Sequence, residues 1–463
     1  MRRAVVLTVL VASVALGACG GTLRPPEPRV GPTGYVYPLG TPPAETRFSQ
    51  TSTLFFREGN FDRALELALE GTADDPGNPV HYLLAGMSYL SLGDYANADD
   101  MFDQAQSIYP GYELDIEPQR EAAWGESFNA GLAAYAEGDL DRTIARWNDA
   151  TRMYDIRPEA HRNLAGLLAT EGRYDEAIEV YRAAIAGLGK GPATEVLTEE
   201  DVRAREASIA ELEEQLTALL MVTDRYAEAE PMLRRRLERE PESVQVRSDL
   251  ASALNSLGRG SEARQIYSAL LSEGGLQATE LFNLGVGLFR VDDFAGAEEA
   301  FRRLTELQAD SRDAWFNLAN ALFALEDWVP LVEVGQRLLG LDPLGETALL
   351  IAARAQLETG HRDAAIEILQ RVDAAPVYLE GLRLRRAGAG TTVEGRMTGN
   401  LAVPGSPVDL LFTFFGEGGR EVGDEAVTLE APPKGESMTL VVTFAGRALS
   451  YRYELIGASV PQP

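Results

Sequence analysis

The sequence predicts a mainly α protein: about nine stacked helical hairpins followed by a small all-β sandwich. Three observations predict it. A turn residue (Gly59, Gly93, Gly138, Gly172, Asp224, Gly258, Asp292, Glu326, Gly360) recurs every 34 residues, with two longer intervals of 45 and 52. Around each turn the same side-chain sizes return. After Ala375 the apolar period drops from 3.6 to 2. A fixed period of this length marks a helix-turn-helix unit that cannot bury its apolar face alone and must stack on its neighbours.

The chain starts with Arg2 and Arg3, then an apolar run over residues 4–16 that is too short to span a bilayer. It ends at Leu16-Gly17-Ala18-Cys19, and Cys19 is the only cysteine of the chain. Residues 1–18 resemble the signal peptide and lipobox of bacterial lipoproteins. The resemblance implies cleavage before Cys19, diacylglycerol on its sulfur and an acylated amino group (palmitate or a similar chain). At about 0.8 kcal/mol per buried CH₂, several acyl chains hold a protein firmly on a membrane. Gly20, where an inner-membrane retention signal would have Asp, implies the outer membrane, with the body facing the periplasm. Residues 19–45 then read as a Pro-rich tether, with seven prolines after the cysteine. In polyproline II at about 3.1 Å per residue, it would reach roughly 80 Å.

Residues 46–377 hold the array. Seven residues before each turn the side chain is small: Ser52, Gly86, Gly131, Ala165, Thr217, Ala251, Gly285, Ala319 and Ala353. Five after it, Ala stands at seven of nine places, with Thr143 and Leu331 as exceptions. These positions let the two helices of a hairpin, A and B, approach closely. Two after the turn an aromatic is frequent. Nine after it stand Phe102, Trp147, Tyr181, Tyr267 and Phe301. Pro76, Pro110, Pro241 and Pro343 follow their turns by 17 residues, where helix B must end. Pro330-Leu331 is expected to disturb the start of one helix B.

The run Asn163-Leu164-Ala165 through Glu171-Gly172-Arg173-Tyr174-Asp175-Glu176-Ala177 carries the tetratricopeptide pattern almost intact. The array resembles the tetratricopeptide repeat family over about 330 residues. The resemblance implies a right-handed superhelix with a concave groove lined by the A helices. It further implies that Phe282, Asn283, Phe289 and Arg290 of the seventh unit, and Phe316, Asn317, Asn320 and Phe323 of the eighth, face the groove. Asn can both donate to and accept from an extended peptide, and Phe supplies apolar area. The alternative is that the Phe side chains pack between neighbouring helices. The Lys-and-Asn clamp of chaperone-binding members is missing, since the chain has only Lys190 and Lys434.

Inserts near residues 111–121 and 188–205 break the period. The second begins at Gly187-Leu188-Gly189-Lys190-Gly191, which imitates a phosphate loop but lacks its first Gly and its Ser or Thr. It reads as an ordinary loop.

Residues 378–458 form the β module, before a short tail, 459–463. Val408, Leu410, Phe412 and Phe414 alternate with other residues, as do Met438, Leu440, Val442 and Phe444, and Leu449, Tyr451, Tyr453 and Leu455. A strand near residues 379–386 opens it. Six or seven short strands predict a sandwich, which weakly resembles immunoglobulin-like modules of the FxLYD kind. Apolar residues on both faces near Leu411 and Phe415 suggest docking onto the last repeat or onto a partner; docking on the repeat would cap the apolar end of the array.

The net charge is −29, with 42 basic and 71 acidic residues. Residues 379–463 contribute only −2 of it, so the array carries almost all the acidity. This balance disfavours nucleic acid and anionic lipid heads; the acidity of the array is either a solvated face or a surface for a neutral or basic protein partner. No metalloprotease pair, nucleophile elbow or nucleotide glycine loop occurs, so neither enzyme, cofactor nor metal is expected. His81 and His161 are expected exposed at A-helix starts, and His361 follows a turn. The pairs Asp74-Asp75, Asp99-Asp100 and Asp292-Asp293 read as caps and solvated faces. The sequence thus points to a membrane-anchored scaffold gripping protein partners in an envelope assembly, secretion or export machine. Its alternative is an architectural protein holding peptidoglycan or surface polysaccharide through the β module.

Overall fold

The computed structural model describes residues 28–191, 195–387 and 390–459. The expected signal peptide and Cys19 lie outside the described residues. The chain divides into two compact units, residues 1–219 and 220–463.

In the first unit the helices pair as α1 (Arg47–Arg57) with α2 (Phe61–Asp74), α3 (Pro79–Ser91) with α4 (Tyr95–Ile108), α5 (Glu113–Glu137) with α6 (Leu140–Met153), and α7 (Pro158–Thr170) with α8 (Tyr174–Lys190). The division into units falls inside α9 (Glu199–Val222). The second unit continues with α10 (Tyr226–Arg239), then pairs α11 (Val244–Ser256) with α12 (Gly260–Glu273), α13 (Ala278–Arg290) with α14 (Phe294–Leu307), α15 (Arg312–Ala324) with α16 (Trp328–Leu341), and α17 (Glu346–Glu358) with α18 (Arg362–Ala374). Within the second unit α13 packs on α11 and α12, α15 on α13 and α14, and α17 on α15 and α16.

All nine turn residues adopt a left-handed backbone, with φ between 56° and 84°. Six are glycine, which takes this conformation without strain. Asp224, Asp292 and Glu326 take it with a Cβ, at a cost of order 1 kcal/mol. Glu326→Gly is therefore expected to stabilise the second unit by about 0.5–1 kcal/mol, net of the added chain entropy. Glu326→Ala, which keeps the Cβ, is expected to gain nothing. Urea denaturation followed by circular dichroism separates the two.

One residue past the turn, Asn60, Asp94, Asp139 and Asp293 cap helix B by accepting from the backbone N–H three residues on. Where Arg173, Arg225 or Arg259 stands there, its guanidinium pairs instead with the Glu three residues later. The helices before Pro76, Pro110, Pro241 and Pro343 all end two residues ahead of the proline. Pro330 does not disturb α16. It sits in the first turn, where its missing N–H has no intrahelical partner to lose, and Leu331 beside it is fully buried.

The small and bulky positions are complementary. A Cβ on Gly86, Gly131 or Gly285 would lie 2.4–2.6 Å from the ring of Phe102, Trp147 or Phe301, each sixteen residues later. The ring on helix B thus seats flat on helix A. In the first hairpin Ser52 instead donates to the carbonyl of Ala64 at 2.7 Å.

The inserts take a definite form, and four further expectations are corrected. The two inserts lengthen helices, giving α5 25 residues and α9 24 where a typical A helix has 13. The Gly187–Lys190 stretch is the last turn of α8, not a loop. Gly187 permits the close approach of the Asp155 carbonyl, Leu188 is buried, and Lys190 pairs with Asp155 at 2.6 Å. Residues 28–45 are not a free tether. Tyr37 is buried, Arg29 pairs with Asp115 and donates to the Gly111 carbonyl, and Thr41 N–H bonds the Ile108 carbonyl. His81 and His161 are buried, not exposed. His81 fits against Gly71 of the preceding helix and meets the Thr46 hydroxyl at 3.3 Å, and burial pushes the pKa of both rings down. Asp99 is neither cap nor solvated face: it lies inside α4, half-enclosed by Arg120 and Arg152. Burial raises its pKa, and Arg120 opposes that rise.

The β module has six strands: β1 (Val377–Ala387), β2 (Gly390–Gly399), β3 (Pro407–Phe415), β4 (Glu421–Glu430), β5 (Ser437–Phe444) and β6 (Ser450–Ala458). They form two antiparallel three-stranded sheets, ordered β1-β2-β5 and β4-β3-β6. The alternating residues of β3 and β5 and Tyr451 and Tyr453 of β6 fill one core between the sheets. Leu344 and Ala375 of the helical repeats share that core.

The module docks on the repeats, but not as expected. Phe415 is buried beside Phe414 at a register shift, under the Arg452 guanidinium. The docking side chain is Tyr453, whose hydroxyl donates to buried Asp342 and accepts from the Leu344 N–H at 3.1 Å. Asp342 also holds Arg312 through Nε and Nη2 at 2.9 and 2.7 Å. Burial opposes the Arg312 charge, and Asp342 more than restores it, so its pKa is raised. Strand β6 therefore lies on α15 and α16, and β1 on α17. The outer face of the last hairpin stays open: Leu350, Leu357, Ile366 and Leu369 are all exposed.

Candidate protein-binding crevices between A helices

The same crevice forms in each unit. In the first it is about 370 Å³, lies between α5 and α7, and has Trp147 at its floor. In the second it is about 280 Å³, lies between α11 and α13, and has Tyr267 at its floor. The floors are equivalent, nine residues past their turns. So are the walls: Arg162 and Phe282 stand ten before their turns, Asn163 and Asn283 nine before, Thr170 and Arg290 two before. In the second unit the covering A helix carries glycine at the contact, where the first has Leu167. A Cβ on Gly287 would lie 2.4 Å from the Tyr267 ring.

The second crevice unites three of the expected residues, Phe282, Asn283 and Arg290, with Gln245, Ser248, Asp249 and Ser252 of α11. Phe282 is half-buried, with its ring edge-on to Phe301 at 6.4 Å, while Asn283 and Arg290 are exposed. Gln245 donates to Asp249 at 2.8 Å. Burial pushes the Tyr267 phenol up to about 12, so it remains a neutral hydrogen-bonding group. An aromatic floor with amide, carboxylate and guanidinium groups at the rim suits a peptide carrying one apolar side chain.

The other expected residues are placed differently. Phe289 packs edge-on against Phe294 across its own turn, and Phe323 against Trp328 in the same way, as Phe56 does with Phe61. These pairs clasp the turn, joining the residue three before it to the one two after. Phe316 lies under the Arg312 guanidinium at 4.6 Å. Asn317 and Asn320 donate to carbonyls of their own helix, at 2.8 Å each. That leaves their side-chain oxygens for a ligand. The α11 residues belong to the sixth unit, one before those in which the sequence shows Phe and Asn at the groove positions. Extended one unit back, the groove register lands on Ser248 and Asp249.

Among the described residues no group of three or more His, Cys, Asp or Glu is placed to hold a metal, and no helix is long and apolar enough to cross a membrane.

A stack of helical hairpins with repeated crevices between successive A helices defines a repeat-built binding scaffold. Tetratricopeptide repeat profiles match residues 51–113, 128–192, 223–281, 282–329 and 347–374, more than half of the chain. The chain belongs to the tetratricopeptide repeat family. It is 27% identical over 288 residues to the human Protein O-mannosyl-transferase TMTC3, a match covering 57% of this chain and 28% of that protein. Among solved structures, a tetratricopeptide repeat protein from Parabacteroides merdae is 13% identical, with 55% of this chain and 93% of that one covered and a TM-score of 0.37. MamA from Desulfovibrio magneticus is 16% identical, with 35% and 92% covered and a TM-score of 0.31.

Proposed function

We propose that this chain is a non-catalytic scaffold that holds protein partners of the bacterial envelope, anchored to the outer membrane through lipidated Cys19 and facing the periplasm. The observation that carries the binding role is the crevice of Phe282, Asn283 and Arg290 over Tyr267, repeated in register over Trp147. At each crevice an extended partner segment would lay an apolar side chain on the aromatic floor and bond its backbone to the Asn at the wall. The anchoring role rests on the sequence around Cys19.

Crosslinking in cells followed by mass spectrometry tests the first role. Phe282→Ala with Asn283→Ala is expected to lose the crosslinked partner while circular dichroism stays unchanged. A partner retained by this variant would sink the crevice as its site. For the second role, Cys19→Ser is expected to move the protein from the membrane to the soluble fraction.

A further inference from the structure

Position nine after the turn measures whether a hairpin is covered. Phe102, Trp147, Tyr181, Tyr267 and Phe301 stand there, and all are 0–6% exposed. In the ninth hairpin the same position is Leu369, and it is 42% exposed. Around it Leu350, Leu357 and Ile366 are also exposed, at 46%, 48% and 45%. Together they line an apolar depression of about 350 Å³ between α17 and α18.

Its residues stand ten and three before the turn and six and nine after it. Those at minus ten and plus nine match Ser248 and Tyr267, which line the crevice that α13 closes in the sixth hairpin. The depression therefore continues the interface between repeats, and the element that fits it has the shape of an A helix. The β module does not supply it, because the module seats on α15, α16 and one side of α17. The charged side chains lining the depression are Arg354 and Arg362, in a chain of net charge −29. Arg354 pairs with Glu358 at 2.6 Å on the solvent side. A second copy would set these guanidiniums against their own kind, whereas an acidic flank would complement them.

We propose that the open face of the ninth hairpin receives an amphipathic helix from a partner protein, apolar along one side and acidic beside it. The helix takes the place a tenth A helix would occupy, with Leu357 and Leu369 meeting its apolar stripe and Arg354 and Arg362 its carboxylates. This site is separate from the crevice containing Phe282.

The test uses the full chain and two synthetic helical peptides of about 20 residues, long enough to hold helix in isolation. Both carry Leu at the spacing of an apolar stripe; one has Glu on its flanks and the other Lys. Fluorescence anisotropy is expected to show binding of the Glu peptide and weaker binding of the Lys peptide. Leu357→Glu with Leu369→Glu is expected to weaken the Glu peptide about ten-fold or more. Both positions are exposed, so folding is retained, and circular dichroism checks it. Arg354→Glu with Arg362→Glu is expected to reverse the preference between the peptides. Phe282→Ala with Asn283→Ala is expected to change neither, which separates this site from the crevice over Tyr267. The proposal is overturned if neither peptide binds, if both bind equally, or if the leucine variant binds like the unaltered chain. A chain that sediments as a dimer, and becomes a monomer on Leu369→Glu, would also overturn it, because the occupant would then be a second copy.

Discussion

Asp342→Ala is expected to destabilise the second unit by about 1–3 kcal/mol, because the buried guanidinium of Arg312 loses the carboxylate that accepts from its Nε and Nη2 and keeps only Asp313, 2.9 Å from Nη1, while Tyr453 loses its acceptor. Asp342 is fully buried and Arg312 nearly so, and both oxygens of the carboxylate are engaged, one by Arg312 and one by Tyr453. Tyr453→Phe removes one donor to Asp342 and the acceptor for the Leu344 N–H, at an expected cost of about 1–3 kcal/mol. Arg312→Met with Asp313→Asn and Asp342→Leu removes all three charges of the network and is expected to lose less than Asp342→Ala alone. Trp315 and Trp328 lie in the second unit, so urea unfolding followed by their fluorescence reads the effect. A loss under about 1 kcal/mol for Asp342→Ala would show that the β module is not held through this network.

The second large effect concerns the ring seated on helix A. Phe301→Ala is expected to cost about 3–5 kcal/mol, since the ring is almost wholly buried. Gly285→Ala is expected to cost about 1–3 kcal/mol, because its Cβ would stand 2.6 Å from that ring. The double variant is expected to cost less than the sum, with a coupling of at least about 1 kcal/mol, because the new methyl enters the space the ring leaves. Additive losses in a double-mutant cycle would mean the two positions are independent, and the size pairing at sixteen residues would have no energetic content.

The repeats were legible because their period is imposed by geometry that every hairpin must satisfy. A left-handed turn, a small residue for each ring and a proline stop recur at fixed offsets, so residues such as Gly172 and Ala177 reveal the fold. Strands β3 and β5 were legible through alternation. The unread parts depend on neighbours distant in sequence. Nothing around His161 shows that it lies inward at a helix start. Asp342 looks like an ordinary helix-terminal acid until Tyr453, 111 residues on, reaches it. The groove was half legible for a related reason. Phe282 and Phe289 have the same spacing from their neighbours, yet one lines a crevice and the other clasps its turn, which depends on the aromatic at Phe294.

The pinned segment at the start of the described chain has a mechanical consequence. With Arg29, Tyr37 and Thr41 fastened to the junction of the second and third hairpins, only nine residues separate Cys19 from the first fixed point. Even drawn straight, nine residues span roughly 30 Å, well short of the 80 Å available to a free tether. If Cys19 is the anchor, the body has little slack, and it is pulled from its flank rather than from the first helix. A partner tugging on the array would load that junction directly, so the attachment would act less as a leash than as a bracket.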